Sequence, residues 1–253
     1  MELIVLGAGP AYTDRRGAAS ASYLMRAGDA ALLLDLGQGA FTNLSSTLEP
    51  STLAAVVVSH LHPDHFIDLV PLRHYLRYEF DPPRRVTVLG PAGLGDRLDA
   101  LHALPGFAAE SLDVAPLGAG ARRIGPFVVE ARLVAHTEES YAVRVSAAGS
   151  DEEAAGPGLV YSGDCGRAED LIPLIRPGDT LLAEASFGAG SVPEGAAHLT
   201  AADAARAALA GGAARLLLTH IQMGYSRSDA LAAAQSVFSG PVQLVTEGDR
   251  FTV

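Results

Sequence analysis

The 253-residue sequence contains no lysine: all 18 basic residues are arginine. A P-loop lysine, a Schiff-base lysine and a kinase lysine are therefore excluded. Tryptophan is absent too, and aromatic residues make up only 6% of the chain. A single cysteine, Cys165, cannot close an internal disulfide, which favours a reducing, cytoplasmic setting. Residues 1 to 10, MELIVLGAGP, have no basic stretch ahead of the apolar one, so no secretory signal is expected. No apolar run approaches the roughly 18 residues that span a bilayer, so no membrane partner is expected either.

What remains is apolar and acidic. Hydrophobic residues account for 49% of the chain and the formal net charge is -11. The apolar fraction excludes a disordered chain, and the length fits a single domain over residues 1 to 253. Excess negative charge argues against long nucleic acid, whose phosphates are neutralised by Lys and Arg.

Short β-rich runs alternate with helical ones. Glu2 to Leu6, Ser22 to Arg26 and Ala30 to Leu36 read as strands, punctuated by the turn signals Gly9-Pro10 and Gly28-Asp29. Ala54 to Ser59 is continuously apolar, the pattern of a strand buried on both faces. A helix is expected from Ile67 to Tyr78, interrupted early by Pro71. Further strands are expected at 86–89, 127–135, 141–145, 159–162, 180–184, 215–219 and 242–246. Between them, Ala201 to Ala210 reads as a helix with a Thr200/Asp203 capping pair and a Gly211-Gly212 stop. Ala147 to Gly158, with Asp151, Glu152 and Glu153, reads as an acidic hairpin loop. The mixture predicts a layered α/β protein with mixed sheets.

The chemistry lies in Ser59-His60-Leu61-His62-Pro63-Asp64-His65, directly after the buried strand. Three imidazoles and a carboxylate within six residues supply the nitrogen and oxygen donors that divalent zinc prefers. Gly7-Ala8-Gly9-Pro10 lacks the third glycine and the following helix of a dinucleotide fingerprint, and is set aside. Arg73, Arg77, Arg84 and Arg85 either line an anion entrance or solvate a helix and loop, and the second reading is favoured. His74 and His102 fall in helical stretches and read as surface or core residues.

The HxHxDH pattern at a strand end resembles the metallo-β-lactamase fold superfamily. That resemblance implies a four-layer αββα sandwich of two mixed sheets flanked by helices. It matches His136 in LVAHTEES, Asp164 in VYSGDCG and His220 in LLLTHI to the remaining ligands. By the resemblance, His60, His62 and His136 hold one ion, Asp64, His65 and His220 a second, and Asp164 bridges them. Zinc is the expected ion, with manganese or iron as alternatives. Asp35, in LLLDLGQG, resembles the buried aspartate that supports a ligand histidine.

The segments EASF and HLT bring the likeness nearest to the ribonuclease Z-like and small-phosphodiesterase branch. They make Glu184 and His198, with Asp64, the candidate catalytic groups, although Ala183 stands where the tRNA-processing branch has a histidine. The resemblance implies a hydrolase acting through metal-bound hydroxide on a small, anionic phosphodiester, cyclic ones included. A lactone, thioester or carboxylic-ester hydrolase is the alternative reading. Processing of tRNA is disfavoured by the acidic charge and the lack of a basic arm, and an inactive scaffold by the complete ligand set. A homodimer is common among such relatives.

Overall fold

Side-chain alternation sets the layers. In β1 (Glu2–Gly7), Leu3 and Val5 face one side while Ile4 and Leu6 face the other, and all four are buried. A strand covered on both faces needs a packing layer on each side, here a sheet on one and helices on the other. The computed structural model, which describes residues 1–149 and 154–253, shows that arrangement.

The first sheet takes β1, β2 (Ser22–Ala27), β3 (Ala30–Leu34), β4 (Ala55–Val57), β5 (Val86–Gly90) and β6 (Leu112–Pro116). The second takes β7 (Gly120–Ile124), β8 (Phe127–Leu133), β9 (Tyr141–Ala148), β10 (Ala154–Tyr161), β11 (Thr180–Glu184), β12 (Arg215–Thr219) and β13 (Val242–Leu244). Strand β14 (Arg250–Thr252) returns to pair with β1, giving seven strands in each sheet. Both sheets follow one plan, an antiparallel meander leading into parallel strands, β3 to β6 and β10 to β13.

Leu32, Leu34, Val57, Val143, Leu182 and Leu217 fill the space between the sheets. Their strand neighbours Leu33, Val56 and Val58 turn outward against α1 (Ala40–Thr47), α3 (Leu69–Tyr78) and α4 (Leu94–His102), while α2 (Pro63–Phe66) carries part of the histidine motif. On the other side, Leu181, Leu216 and Leu218 pack on α5 (Ala201–Gly211) and α6 (Arg227–Gln235) through small residues such as Ala204, Ala208 and Ala234. The order is thus αββα. The capping pair of α5 forms as read, with Thr200 Oγ1 accepting from Asp203 N at 3.1 Å and Gly212 closing the helix at φ 76°.

Three expectations need correction. Pro71 interrupts nothing: it lies in the first turn of α3, where the backbone N–H has no helical acceptor to lose. The stretch from Ala147 to Gly158 is not all loop, because β9 runs to Ala148 and β10 begins at Ala154; its acidic tip, Asp151 to Glu153, lies outside the described residues. Arg73 neither lines an entrance nor solvates a helix. It is 2% exposed, donates from Nε to the Phe107 carbonyl at 3.0 Å, pairs with Glu110 and covers the Phe107 ring. No described helix is long and apolar enough to cross a membrane.

Candidate metal centre

All the candidate residues except His198, which precedes α5, lie at or just after the carboxyl ends of strands. Asp35 follows β3, His60 to His65 follow β4, His136 follows β8, Asp164 follows β10, Glu184 ends β11 and His220 follows β12. Strand ends of both sheets therefore meet along one edge of the sandwich, and hydrogen bonds between the sheets fix their approach. Tyr23 OH lies 2.7 Å from Thr219 Oγ1, Tyr161 OH donates to Asp35 Oδ2 at 2.6 Å, and His220 N donates to Ala8 O at 3.1 Å.

Asp164 occupies the middle. Its Oδ2 lies 3.7 Å from both His60 Nε2 and His136 Nε2, and His136 Nε2 is 3.1 Å from His62 Nδ1. Its Oδ1 faces the other way, 3.4 Å from His65 Nε2 and 3.6 Å from His220 Nε2. Asp64 Oδ2 closes that second group at 3.2 Å from His220 Nε2 and 3.6 Å from His65 Nε2. The seven residues named in the sequence thus form two groups that share one carboxylate, within the spacing a metal ion needs.

The far side of each ring is tied down. His65 Nδ1 donates to Asp35 Oδ2 at 2.7 Å, His136 Nδ1 to Ala197 O at 2.8 Å, and His220 Nδ1 lies 3.0 Å from Ser186 Oγ. His60 Nδ1 is 3.1 Å from Ser59 Oγ, which itself donates to Asp35 Oδ2 at 2.7 Å. A ring that spends its Nδ1–H in this way offers the Nε2 lone pair. The buried atoms His60 Nε2, His65 Nε2 and Asp164 Oδ1 have no hydrogen-bond partner among the described residues. A single such atom costs about 1–3 kcal/mol. Three of them converging on one space fit divalent cations.

Backbone and charge bear the same mark. Asp35 and His220 both adopt left-handed φ, 58° and 59°, a conformation that costs an ordinary L-residue about 1–2 kcal/mol. Gly37 permits the backbone of its loop to lie on Asp64, since a Cβ there would stand 1.9 Å from Asp64 O. Burial and the charge of His65 keep His60 well below the ordinary imidazole value, and burial with the charge of His136 lowers His62. Burial opposes charge on His65 and on Asp164, but the attraction between them and their neighbours prevails. His65 is raised well above its usual range and Asp164 falls well below its own.

His198 and Glu184 stand beside the cluster. Glu184 is 1% exposed; Oε1 accepts from His198 Nδ1 at 3.0 Å and from the backbone of Cys165 and Leu199, and Oε2 from Ser186 N and Oγ. His198 Nδ1 is also 3.8 Å from Asp164 Oδ2. Burial disfavours the cation of His198, but the Glu184 hydrogen bond and charge outweigh it and raise its pKa.

Ser186, which links Glu184, His198 and His220, had no signal in the sequence beyond its place two residues after Glu184. Cys165 donates to Arg167 O at 3.1 Å, and burial pushes its thiol up to about 12. His74 and His102 join none of these groups and instead pack in an aromatic set with Phe107.

A family model described as the beta-lactamase superfamily domain matches residues 32–221. The chain belongs to the metallo-β-lactamase superfamily. Among curated members, the uncharacterized protein ML1173 of Mycobacterium leprae is 34% identical over 246 residues, covering 92% of this chain and 82% of its own. The probable metallo-hydrolase YhfI of Bacillus subtilis is 27% identical over 230 residues, 91% of each chain. Ribonuclease Z of Metallosphaera sedula is 26% identical over 288 aligned positions, 98% of this chain and 97% of that one.

The superfamily fold is equally plain in solved structures. YhfI superposes with a TM-score of 0.85 at 24% identity over 99% of both chains. A diphosphatase from the PhnP family superposes at 0.75 with 16% identity, over 100% of this chain and 97% of its own. This is a metallo-hydrolase of that superfamily, with ribonuclease Z-like relatives.

Proposed function

We propose that this superfamily member hydrolyses a small phosphodiester at a dinuclear zinc site held by His60, His62, Asp64, His65, His136, Asp164 and His220. The observation that carries the reading is the His198–Glu184 pair, with His198 Nδ1 at 3.0 Å from Glu184 Oε1 and 3.8 Å from Asp164 Oδ2. Divalent ions held by the two groups would supply Lewis acidity toward phosphoryl oxygens and a water nucleophile near neutral pH.

The chain's own residues do the rest. Asp164 and Asp64 set the spacing of the two groups, and Asp35, Ser59, Ala197 and Ser186 hold the ligand rings. Because Nδ1 of His198 is spent on Glu184, its Nε2 is left to face substrate. Glu184 favours the cationic form of that ring, which suits His198 to stabilise phosphoryl charge and donate a proton. Water adds to phosphorus and gives up one proton to solvent, the P–O bond to the leaving alcohol breaks, and the alcohol oxygen takes a proton from His198, which solvent then restores.

The diphosphatase likeness is compatible with phosphoryl chemistry. The charge of -11 argues against a long polyanion outside the pocket. The test is turnover of bis(p-nitrophenyl) phosphate against a lactone panel. We expect phosphodiester turnover and, on a diester with an alkyl leaving group that needs a proton, a loss of about 10²–10⁴-fold in His198→Ala, the usual worth of a general acid, with metal content unchanged. Lactone hydrolysis without phosphodiester hydrolysis overturns the reading.

A further inference from the structure

A cavity of about 420 Å³ lies against the cluster on its His62 side. Leu61 and His62 form one wall, Pro91 and Arg97 a second, and Glu138 and Glu139 a third. Glu139 is already committed: Oε2 accepts from Ala92 N at 2.7 Å and Oε1 from Tyr141 OH, so it ties the second and third walls together. Arg97 and Glu138 are exposed and have no side-chain partner among the described residues.

We propose that this cavity takes the nucleoside part of the substrate, with Arg97 and Glu138 as specificity-determining residues. The proposal rests on the phosphodiesterase reading above. Four observations support it. The cavity shares His62 with the metal cluster, so a phosphodiester centred there projects one ester group into it. Its volume falls in the range of small-molecule sites, about 300–1,000 Å³.

Its charges are of both signs. A second phosphate would meet Glu138 and Glu139, and a purely apolar group would leave Arg97 and Glu138 unused. A nucleobase has a flat face for the guanidinium and for Leu61 and Pro91, and an edge bearing both donors and acceptors. Finally, His198 groups with Asp164 and His220 and does not line the cavity. The leaving oxygen therefore sits by His198, and the group in the cavity stays on the phosphate as a nucleoside monophosphate.

The test uses two esters with one leaving group, the p-nitrophenyl ester of adenosine monophosphate and methyl p-nitrophenyl phosphate. We expect kcat/KM at least about tenfold higher for the nucleoside ester, with Arg97→Ala and Glu138→Ala each lowering that ratio by about tenfold, chiefly through KM. Equal kcat/KM for the two esters, or a ratio neither variant moves, overturns the proposal while leaving the phosphodiesterase reading intact. If neither ester is hydrolysed, the phosphodiesterase reading fails instead. The cavity is then judged by calorimetry with adenosine monophosphate: a Kd about tenfold weaker in Arg97→Ala supports the proposal, and an unchanged Kd or no binding overturns it.

Discussion

Asp35 belongs to neither metal group, yet four donors end on it. Ser59 N reaches Oδ1 at 2.6 Å, and Ser59 Oγ, Tyr161 OH and His65 Nδ1 reach Oδ2 at 2.7, 2.6 and 2.7 Å. Asparagine tolerates the left-handed backbone at this position, so Asp35→Asn alters the hydrogen bonds and spares the turn. An amide that replaces Oδ2 with a donor faces three donors. We expect metal affinity to fall about 10–100-fold and stability by about 1–3 kcal/mol. Competition with a chelator followed by metal analysis, together with urea denaturation, checks both, and wild-type values for either would remove Asp35 from this role. The proposed ligand residues stand out in the sequence because a histidine or aspartate at a strand end advertises its chemistry. Ser59, Tyr161 and Ser186 do not, since serine and tyrosine serve so many purposes that only their contacts here reveal the function.

Among the strands, the second sheet carries a charged pair in its interior. Arg144 of β9 donates from Nε and Nη2 to Asp179, just before β11, at 2.8 and 2.9 Å, and both side chains are buried. Asp179 also accepts from Gly158 N at 2.7 Å and Arg176 N at 2.9 Å, so one carboxylate pins β9, the start of β11 and β10 together. Removing it leaves a buried guanidinium without its counter-charge. Asp179→Ala is therefore expected to cost about 3–5 kcal/mol, read as a lower urea midpoint with an unchanged m-value. A loss under about 1 kcal/mol would mean that water reaches Arg144 in the native state. Strands with continuous or alternating apolar runs were readable, β1, β4 and β12 among them. The strand β7 was not: its sequence, GARRI, is mostly exposed and places two arginines where an alternation would show, and its partner β8 supplies the register. Helix α4, with LGDRLDALH, buries only Leu94 and Leu98 and gives an equally faint pattern.

At the level of the entire fold, the interior near the cluster is built for charge that the polypeptide alone does not balance. His60, His65, Asp64, Asp164 and His220 are all under 10% exposed. An ion that binds only the native state stabilises it by about 2.7 kcal/mol at a hundredfold excess over its Kd, equivalent to roughly 5–10 °C in Tm for a chain of this size. Stripping the protein with a strong chelator should lower Tm by that amount, and zinc should restore it; an unchanged Tm in calorimetry would mean that no ion is held in the native state. The αββα order followed from the resemblance carried by HxHxDH. The Arg97 cavity did not, because its walls come from three segments distant in sequence, and the arginines that drew notice there were Arg73, Arg77, Arg84 and Arg85. The cluster itself is divided between the halves of the sandwich: His60, His62, Asp64 and His65 come from the first sheet, and His136, Asp164 and His220 from the second. Neither half owns a complete set, so a nascent or misdocked chain would have little with which to sequester metal, and capture of an ion at the proposed site would certify that the two halves have closed correctly.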